Sequence, residues 1–184
     1  MCSIAPVVLH PQAQANRRIV ITSTMPKHKA ATLAEEIKQT RPFSSVEEEA
    51  YLSLVRTSAD LNHSTDQFLK PFGITQSQYN VLRILRGAGA EGLGRNQIAE
   101  RMVTPTPDAS RLLDRLEESG WIRRKRGKED RRQVTSCITP AGLRLLNKLD
   151  APIAAFHKGQ FPAVSKADLH QLTRILSKLR SSRQ

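Results

Sequence analysis

The 184-residue chain is poor in aromatic residues and in cysteine, and it lacks long apolar runs. Phe, Trp and Tyr make up only 4% of the residues, which argues against modules that stack unpaired bases on aromatic rings. Cys2 and Cys137 lie too far apart for a disulfide framework or a metal motif, and the histidines show no ligand spacing. No apolar run reaches the roughly 18 residues of a membrane-spanning helix. The sequence therefore predicts a cytoplasmic protein with no membrane span and no metal or other cofactor.

Acidic residues are also in deficit, because 29 Lys and Arg face 17 Asp and Glu, a formal net charge of +12. Such a balance favours a polyanionic partner, since Lys and Arg release the counterions that condense on phosphate backbones. No set of nucleophile, base and acid emerges from the sequence, so we do not expect an enzyme.

The segment Trp121–Thr139 concentrates this positive charge and has the pattern of a β-hairpin. It holds seven cations against two acids, a net charge of +5 within 19 residues. Apolar residues begin one strand and alternate along the other, and Gly127 lies in the charged turn. The alternation predicts that Ser136 and Ile138 face inward and that Cys137 faces outward. The inward position of Ser136 would more commonly hold an aliphatic residue.

Residues 1–43 carry four prolines and little apolar periodicity, so we predict a basic, mobile arm with one short helix between residues 30 and 39. Helical periodicity begins at Ser45, a candidate N-cap, and predicts a first helix of about 45–70. Thr75 and Gln78 form a predicted capping box for the second helix, and a third follows at 95–102.

The next helix carries the residues of greatest functional interest. Thr106 is its predicted N-cap, Pro107 its first helical residue and Gly120 its terminator. The leucines of this helix lie on one face, and its arginines lie on the other faces. Together with the basic hairpin, these helices predict a winged helix-turn-helix over about 75–139. Thr139 and Ser165 are predicted to cap two last helices, of which Pro152 would kink or interrupt the first.

Four stretches of the chain resemble successive signatures of the MarR-type transcriptional regulators. They are ITQSQYNVLRIL, IAERM, SRLLDRLEESGWI and EDRRQVTSCITPAG, and the resemblance covers about Ser45 to Arg180. The most specific part is Asp130-Arg131-Arg132 followed by Val134, Ile138, Thr139 and Gly142. The resemblance implies a mainly α fold with a small β-hairpin wing, in a domain of residues 44–184 whose dimerisation helices lie at about 45–70 and 140–181.

The same resemblance implies that the arginine-bearing helix enters the major groove of double-stranded DNA. Arg111 and Arg115 share a face, and arginine can bridge guanine O6 and N7 or clamp a phosphate. In the wing, Arg132 would reach the minor groove or its phosphates, and Asp130 would orient it. The predicted DNA-binding residues are Arg95, Thr106, Ser110, Arg111, Arg115, Arg124, Arg126, Lys128, Asp130 and Arg132.

The resemblance also implies a homodimer that binds an imperfect palindrome and is released by a small-molecule effector, most simply as a repressor. Charge is consistent with pairing of the terminal helices, because residues 46–70 carry a net charge of −3 and residues 166–183 one of +4. The alternative is a basic RNA-binding or architectural module without effector control, because a basic surface alone does not distinguish duplex DNA from RNA.

Overall fold

The computed structural model describes residues 31–106, 108–126 and 134–182. Most of the described residues are helical, and three short strands form one small sheet, which confirms the predicted fold class. The elements in chain order are α1 (Leu33–Glu36), α2 (Val46–Leu69), α3 (Gln76–Ala88), β1 (Leu93–Gly94), α4 (Arg95–Arg101), α5 (Ala109–Glu118), β2 (Ile122–Arg126), β3 (Val134–Ile138), α6 (Pro140–Gly159) and α7 (Lys166–Ser181).

The chain divides after Glu49 into two units, of which the first contains α1 and the start of α2. Thr32 and Glu35 cap α1 reciprocally, each side chain accepting a hydrogen bond from the other residue's backbone N–H. The Ser45 hydroxyl accepts from the Glu48 N–H at 3.2 Å, which confirms the predicted start of the long helix. Hydrogen bonds donated by Ser44 hold the pKa of the Glu48 carboxyl below its ordinary value.

The second unit, from Ala50 onward, is built on α3, which packs against α6 and β3. Tyr79, Leu82 and Leu85 form its buried face, as the sequence predicts. They meet fully buried leucines from α5 and α6, so that the helices and the sheet share one apolar core. Its largest fully buried side chains are Leu69, Leu82, Leu85, Ile98, Leu116, Leu146 and Leu149.

Polar caps begin the helices of this unit where short side chains precede them. The Thr75 and Gln78 capping box begins α3, and the hydroxyl of Thr139 accepts from the Gly142 N–H to begin α6. The Ser165 hydroxyl begins α7 in the same way. Of the two alternatives predicted for Pro152, a kink or an interruption, the interruption is wrong, because α6 runs unbroken from Pro140 to Gly159.

The sheet has the strand order β1-β3-β2, and both pairings are antiparallel. Strands β2 and β3 form the predicted hairpin, with Ile122 opposite Ile138 and Arg126 opposite Val134. Strand β1 was not predicted, and it pairs with β3 on the other edge, where Leu93 lies opposite Ser136.

The expectation that Cys137 faces outward is wrong, because its side chain is only 2% exposed. The loop that leads into β1 covers it, and its thiol lies 3.7 Å from the Ala90 carbonyl oxygen. Ser136 is buried to the same degree, as expected from its inward position. Both faces of β3 are therefore covered at this point.

An ion pair ties α3 to α6 at the edge of the core. Arg86 donates two hydrogen bonds to the carboxylate of Asp150, at 2.8 and 3.0 Å. Chiefly through these bonds, Arg86 holds the pKa of the Asp150 carboxyl below its ordinary value, so the pair stabilises the fold above that value and loses its effect as the pH falls through the lowered pKa. The side chains are 32% and 48% exposed, and water screens the pair to at most about 1 kcal/mol.

Candidate nucleic-acid interface

Helix α5 has a buried face of leucines and an outward face of polar and cationic side chains. Leu113 and Leu116 are 4% and 0% exposed and fix the helix on the core. Ser110, Arg111 and Arg115 are all exposed on its other faces. The apolar contacts thus hold the helix while these three side chains stay available for a partner.

The first turn of α5 is organised by Asp108 and not by Thr106. The Asp108 carboxylate accepts from the Arg111 N–H at 3.0 Å, and its other oxygen lies 3.0 Å from Arg111 Nε. The predicted start of this helix at Thr106 is wrong, because the first helical residue is Ala109. Thr106 lies in the preceding turn, where its hydroxyl donates weakly to the Thr104 carbonyl at 3.4 Å, and its predicted role at the helix start is corrected accordingly. Pro107 lies outside the described residues.

Arg111 remains open to solvent in spite of this ion pair. Its side chain is 80% exposed, and Asp108 steadies the guanidinium beside the helix start. Arg115 lies one turn further along the same face and is also exposed. The structure therefore places both arginines together, as the sequence predicts.

Arg95, at the start of α4, lies beside α5. Its guanidinium donates to the hydroxyl of Ser110 at 3.3 Å and to the side-chain oxygen of Asn96 at 3.4 Å. Two of the predicted site residues, from different helices, are thus in direct contact. An exposed cation at this junction can reach a phosphate that lies against either helix.

The described part of the wing carries exposed cations on β2. Ile122 is 2% exposed and packs into the core, whereas Arg123, Lys125 and Arg126 are exposed. Arg126 is among the predicted site residues, and Arg123 and Lys125 join it on the same strand. The predicted contacts of Lys128, Asp130 and Arg132 lie outside the described residues.

Arg124 differs from its neighbours, because its guanidinium is held against acidic side chains of α5. Its Nη2 lies 2.6 Å from Asp114 Oδ1, and its Nε lies 3.5 Å from Glu117 Oε2. Its backbone N–H donates to Glu117 Oε1 at 2.9 Å. The side chain is 27% exposed. The role of Arg124 as a direct DNA contact stays a prediction. Its guanidinium meets two acids of α5 and also donates to the Ser110 carbonyl oxygen at 3.5 Å, contacts that the local sequence did not connect with it.

An open groove of about 1100 Å³ lies beside α5. One of its walls carries Asp108, Arg111 and Arg115, and the opposite walls come from α2, α3 and α6, including Tyr79 and His157. Because the groove joins the arginine-bearing helix to the long helices, an occupant would contact both.

Two negative observations apply to the described residues alone. In them, no group of three or more His, Cys, Asp and Glu side chains could hold a metal ion. No helix of the described ranges is long and apolar enough to cross a membrane.

Comparison with known proteins agrees with this architecture. Residues 74–134, from α3 to the start of β3, match the MarR family. The crystal structure of a MarR transcription factor from Planctomyces limnophilus is 38% identical, with a TM-score of 0.59, and the match covers 74% of this chain and 98% of that one. This chain belongs to the MarR family of transcriptional regulators. The named relatives are regulators, in agreement with the expectation that the chain is not an enzyme.

Two further similar structures contain a bound partner. The chain is 27% identical to S. aureus MepR in a MepR–DNA complex, with a TM-score of 0.64 and coverage of 72% of this chain and 96% of that one. It is 25% identical to CouR of Rhodococcus jostii RHA1 bound to p-coumaroyl-CoA, with a TM-score of 0.61 and coverage of 74% and 95%. The chain spans 58%, 72% and 57% of the length of three curated relatives, all named as HTH-type transcriptional regulators.

Proposed function

We propose that this MarR-family regulator binds double-stranded DNA in a sequence-specific manner. The proposal rests on the observation that one apolar core holds two cationic elements side by side. Helix α5 presents Arg111 and Arg115, strand β2 presents Arg123, Lys125 and Arg126, and both elements are anchored by apolar side chains in one core. A rigid helix with a basic hairpin beside it matches the shape of a major groove and its flanking phosphates. The MepR–DNA complex supports this choice of partner.

The contacts divide into base readers and phosphate binders. Arg111, Arg115 and Ser110 lie on the outward faces of α5, so we assign them to the major groove. Arg95, Arg123, Lys125 and Arg126 lie at its flanks and are assigned to phosphates. Lys128, Asp130 and Arg132 retain their sequence-based assignment to the wing contact.

The alternative is an RNA-binding or architectural module. It is disfavoured because α5 and β2 contain no aromatic residue, and Trp121 between them packs against the core. A competition experiment in which single-stranded RNA displaces the protein from duplex DNA at equal concentration would favour this alternative.

We further propose a homodimer that binds an imperfect palindrome. Helix α7 exposes Leu172, Ile175 and Leu179 and has no buried residue within the described chain, and α2 exposes Tyr51 and Val55. Apolar stripes of this extent favour burial against a second copy. Two-fold symmetry would then place the two α5 helices about one turn of DNA apart. The cytoplasmic location expected from the sequence remains a prediction, as do the repressor role and the separate arm of residues 1–43.

The groove between α5 and the long helices is the proposed effector site. An occupant that contacts Arg111 or Arg115 on one wall and α2 or α6 on the other would change the separation of the DNA-binding lobes. The ligand-bound CouR structure supports effector control. We expect a bound effector to lower DNA affinity about 5- to 150-fold, measured by fluorescence anisotropy across a panel of metabolites and phenolic acids. Binding of a panel compound without any change in DNA affinity would contradict this role for the groove.

Arg111→Ala tests the DNA-binding proposal directly. Loss of a base-reading arginine should weaken binding to the preferred site by about 1–3 kcal/mol, while binding to unrelated duplex falls much less. Anisotropy titrations with both duplexes at several salt concentrations measure this difference. Lys148→Ala is the control, since Lys148 is an exposed cation of α6 outside the assigned contacts. Equal losses of DNA affinity in the two variants, or a wild-type affinity that does not change with salt concentration, would refute the proposal.

A further inference from the structure

We propose that Arg124 is a positioning residue that locks the wing to helix α5 through Asp114 and Glu117, and that DNA affinity depends on this lock. The inference rests on the proposed DNA-binding function, and it assigns to Arg124, Asp114 and Glu117 a role that does not involve touching DNA.

The first support is the geometry of the contacts. Arg124 reaches two carboxylates that lie three residues apart on α5, with Nη2 at 2.6 Å from Asp114 and Nε at 3.5 Å from Glu117. Its backbone N–H donates to Glu117 at 2.9 Å, so β2 is attached by its main chain as well as by its side chain. Because both the guanidinium and the backbone N–H of Arg124 make contacts, they fix the distance and the rotation of the strand relative to the helix.

The second support is the contrast along β2. Arg123, Lys125 and Arg126 are exposed, whereas the Arg124 side chain is only 27% exposed and lies opposite the buried Ser136 in the hairpin register. Two acids offset its one positive charge, so Arg124 adds little attraction for phosphate. Arg123 and Lys125 alternate onto the opposite face of the strand, so the informative comparison is with Arg126, which shares the face of Arg124 and is exposed.

The third support is the position of Asp114 between the proposed base-reading arginines. It follows Arg111 by three residues and precedes Arg115 by one, where a free carboxylate could pair with Arg111 along the helix. The 2.6 Å contact with Arg124 occupies it instead. The lock thus places the wing and also leaves the outward arginines available.

The decisive test is the direction in which DNA affinity changes when an acid of the lock is removed. Asp114→Ala removes a negative charge next to the proposed DNA surface, so long-range electrostatics alone predicts tighter binding. Loss of the lock predicts the opposite, and we expect DNA affinity to fall about 5- to 10-fold. Glu118→Ala is the matched control, because Glu118 is an exposed acid of the same helix outside these contacts. We expect that control to bind DNA as tightly as the wild type or more tightly.

Arg124→Ala distinguishes a lock from a phosphate contact. A residue that neutralises a phosphate contributes about one to the slope of log affinity against log salt, whereas a positioning residue leaves that slope nearly unchanged while affinity falls. In the double variant Asp114→Ala, Arg124→Ala the losses should overlap, because both changes break the same contact.

Amide hydrogen exchange provides a readout that needs no DNA. Asp114→Ala should speed exchange at residues 122–126 several-fold, with a thermal midpoint close to that of Glu118→Ala. Unchanged exchange at the wing, or DNA binding by Asp114→Ala as tight as by Glu118→Ala, overturns the lock. If the wild type fails to bind DNA in a salt-dependent way, the proposed function fails, and the exchange experiment alone then decides whether the lock exists.

Discussion

Gly92→Ala should lower the free energy of unfolding by about 2–5 kcal/mol, because the added Cβ both strains the backbone and overlaps neighbouring atoms. Gly92 has a φ of +69°, a left-handed conformation that costs a residue with a Cβ roughly 1–2 kcal/mol. A Cβ at this position would also overlap the carbonyl oxygen of Ser136 and the thiol of Cys137. Both neighbours belong to β3 and are 2% exposed, so neither can move away freely.

Gly73→Ala is the matched control for this prediction. Gly73 has the same φ of +69°, but a Cβ there would meet no atom within 4 Å. Its substitution should therefore cost only the backbone term, about 1–2 kcal/mol. Urea denaturation measures the change in the free energy of unfolding for both variants, provided that they unfold with the same m-value. Equal destabilisation of the two variants would show that close packing between the β1 loop and β3 contributes nothing.

The same contact explains why the outward position predicted for Cys137 is wrong. Alternation along β3 correctly predicted that Ser136 faces inward, but the prediction assumed that the other face of the strand is exposed to solvent. The loop at Ala90–Gly92 and the two-residue strand β1 cover that face, and a strand so short has no periodicity to detect. Burial of Cys137 is thus a consequence of contacts between residues about 46 positions apart.

Helix starts were predictable wherever one polar side chain precedes the helix. Ser45, Thr75, Thr139 and Ser165 each accept a backbone N–H three residues later, and this hydrogen bond is local in sequence. At the start of α5 the sequence predicted Thr106 as the cap, whereas the structure has Asp108 in that role. A distant contact bears on this turn, since Asn80 of α3 accepts from the Val103 N–H at 2.9 Å. This contact joins residues 23 positions apart, so the local pattern that predicted Thr106 as the cap does not contain it.

The candidate site shows the same division between local and distant information. The outward face of α5 followed from the spacing of its leucines, so Arg111 and Arg115 were found by periodicity. Charge along the hairpin was also evident, but the pairing of Arg124 with two acids of α5 was not. Partners seven and ten residues away, across a turn into a strand, depend on the packing of two elements. Charge density alone therefore does not show which cations of the hairpin are engaged with acids of the same chain.

Ile175→Glu should produce the largest loss of DNA binding, because it acts on the proposed dimer. Ile175 is 55% exposed and lies between Leu172 and Leu179 on the apolar stripe of α7. In the proposed interface a carboxylate there would be buried without a partner and would meet the acidic helix α2. Two linked half-sites bind about 10²- to 10⁴-fold more tightly than one, so a monomer should lose affinity by that factor.

Ser177→Glu separates this effect from charge, since it adds the same carboxylate to an exposed polar position of α7. We expect this control to retain the dimer mass in light scattering and nearly full affinity for a palindromic duplex. Ile175→Glu should elute as a monomer and bind one half-site as well as the wild type does, because α5 and the wing lie on other elements. A wild-type monomer at micromolar concentration, or an Ile175→Glu dimer with full affinity, would refute the proposed pairing. Retained half-site binding would separate loss of the dimer from loss of the fold, because the core leucines of α3, α5 and α6 do not involve Ile175.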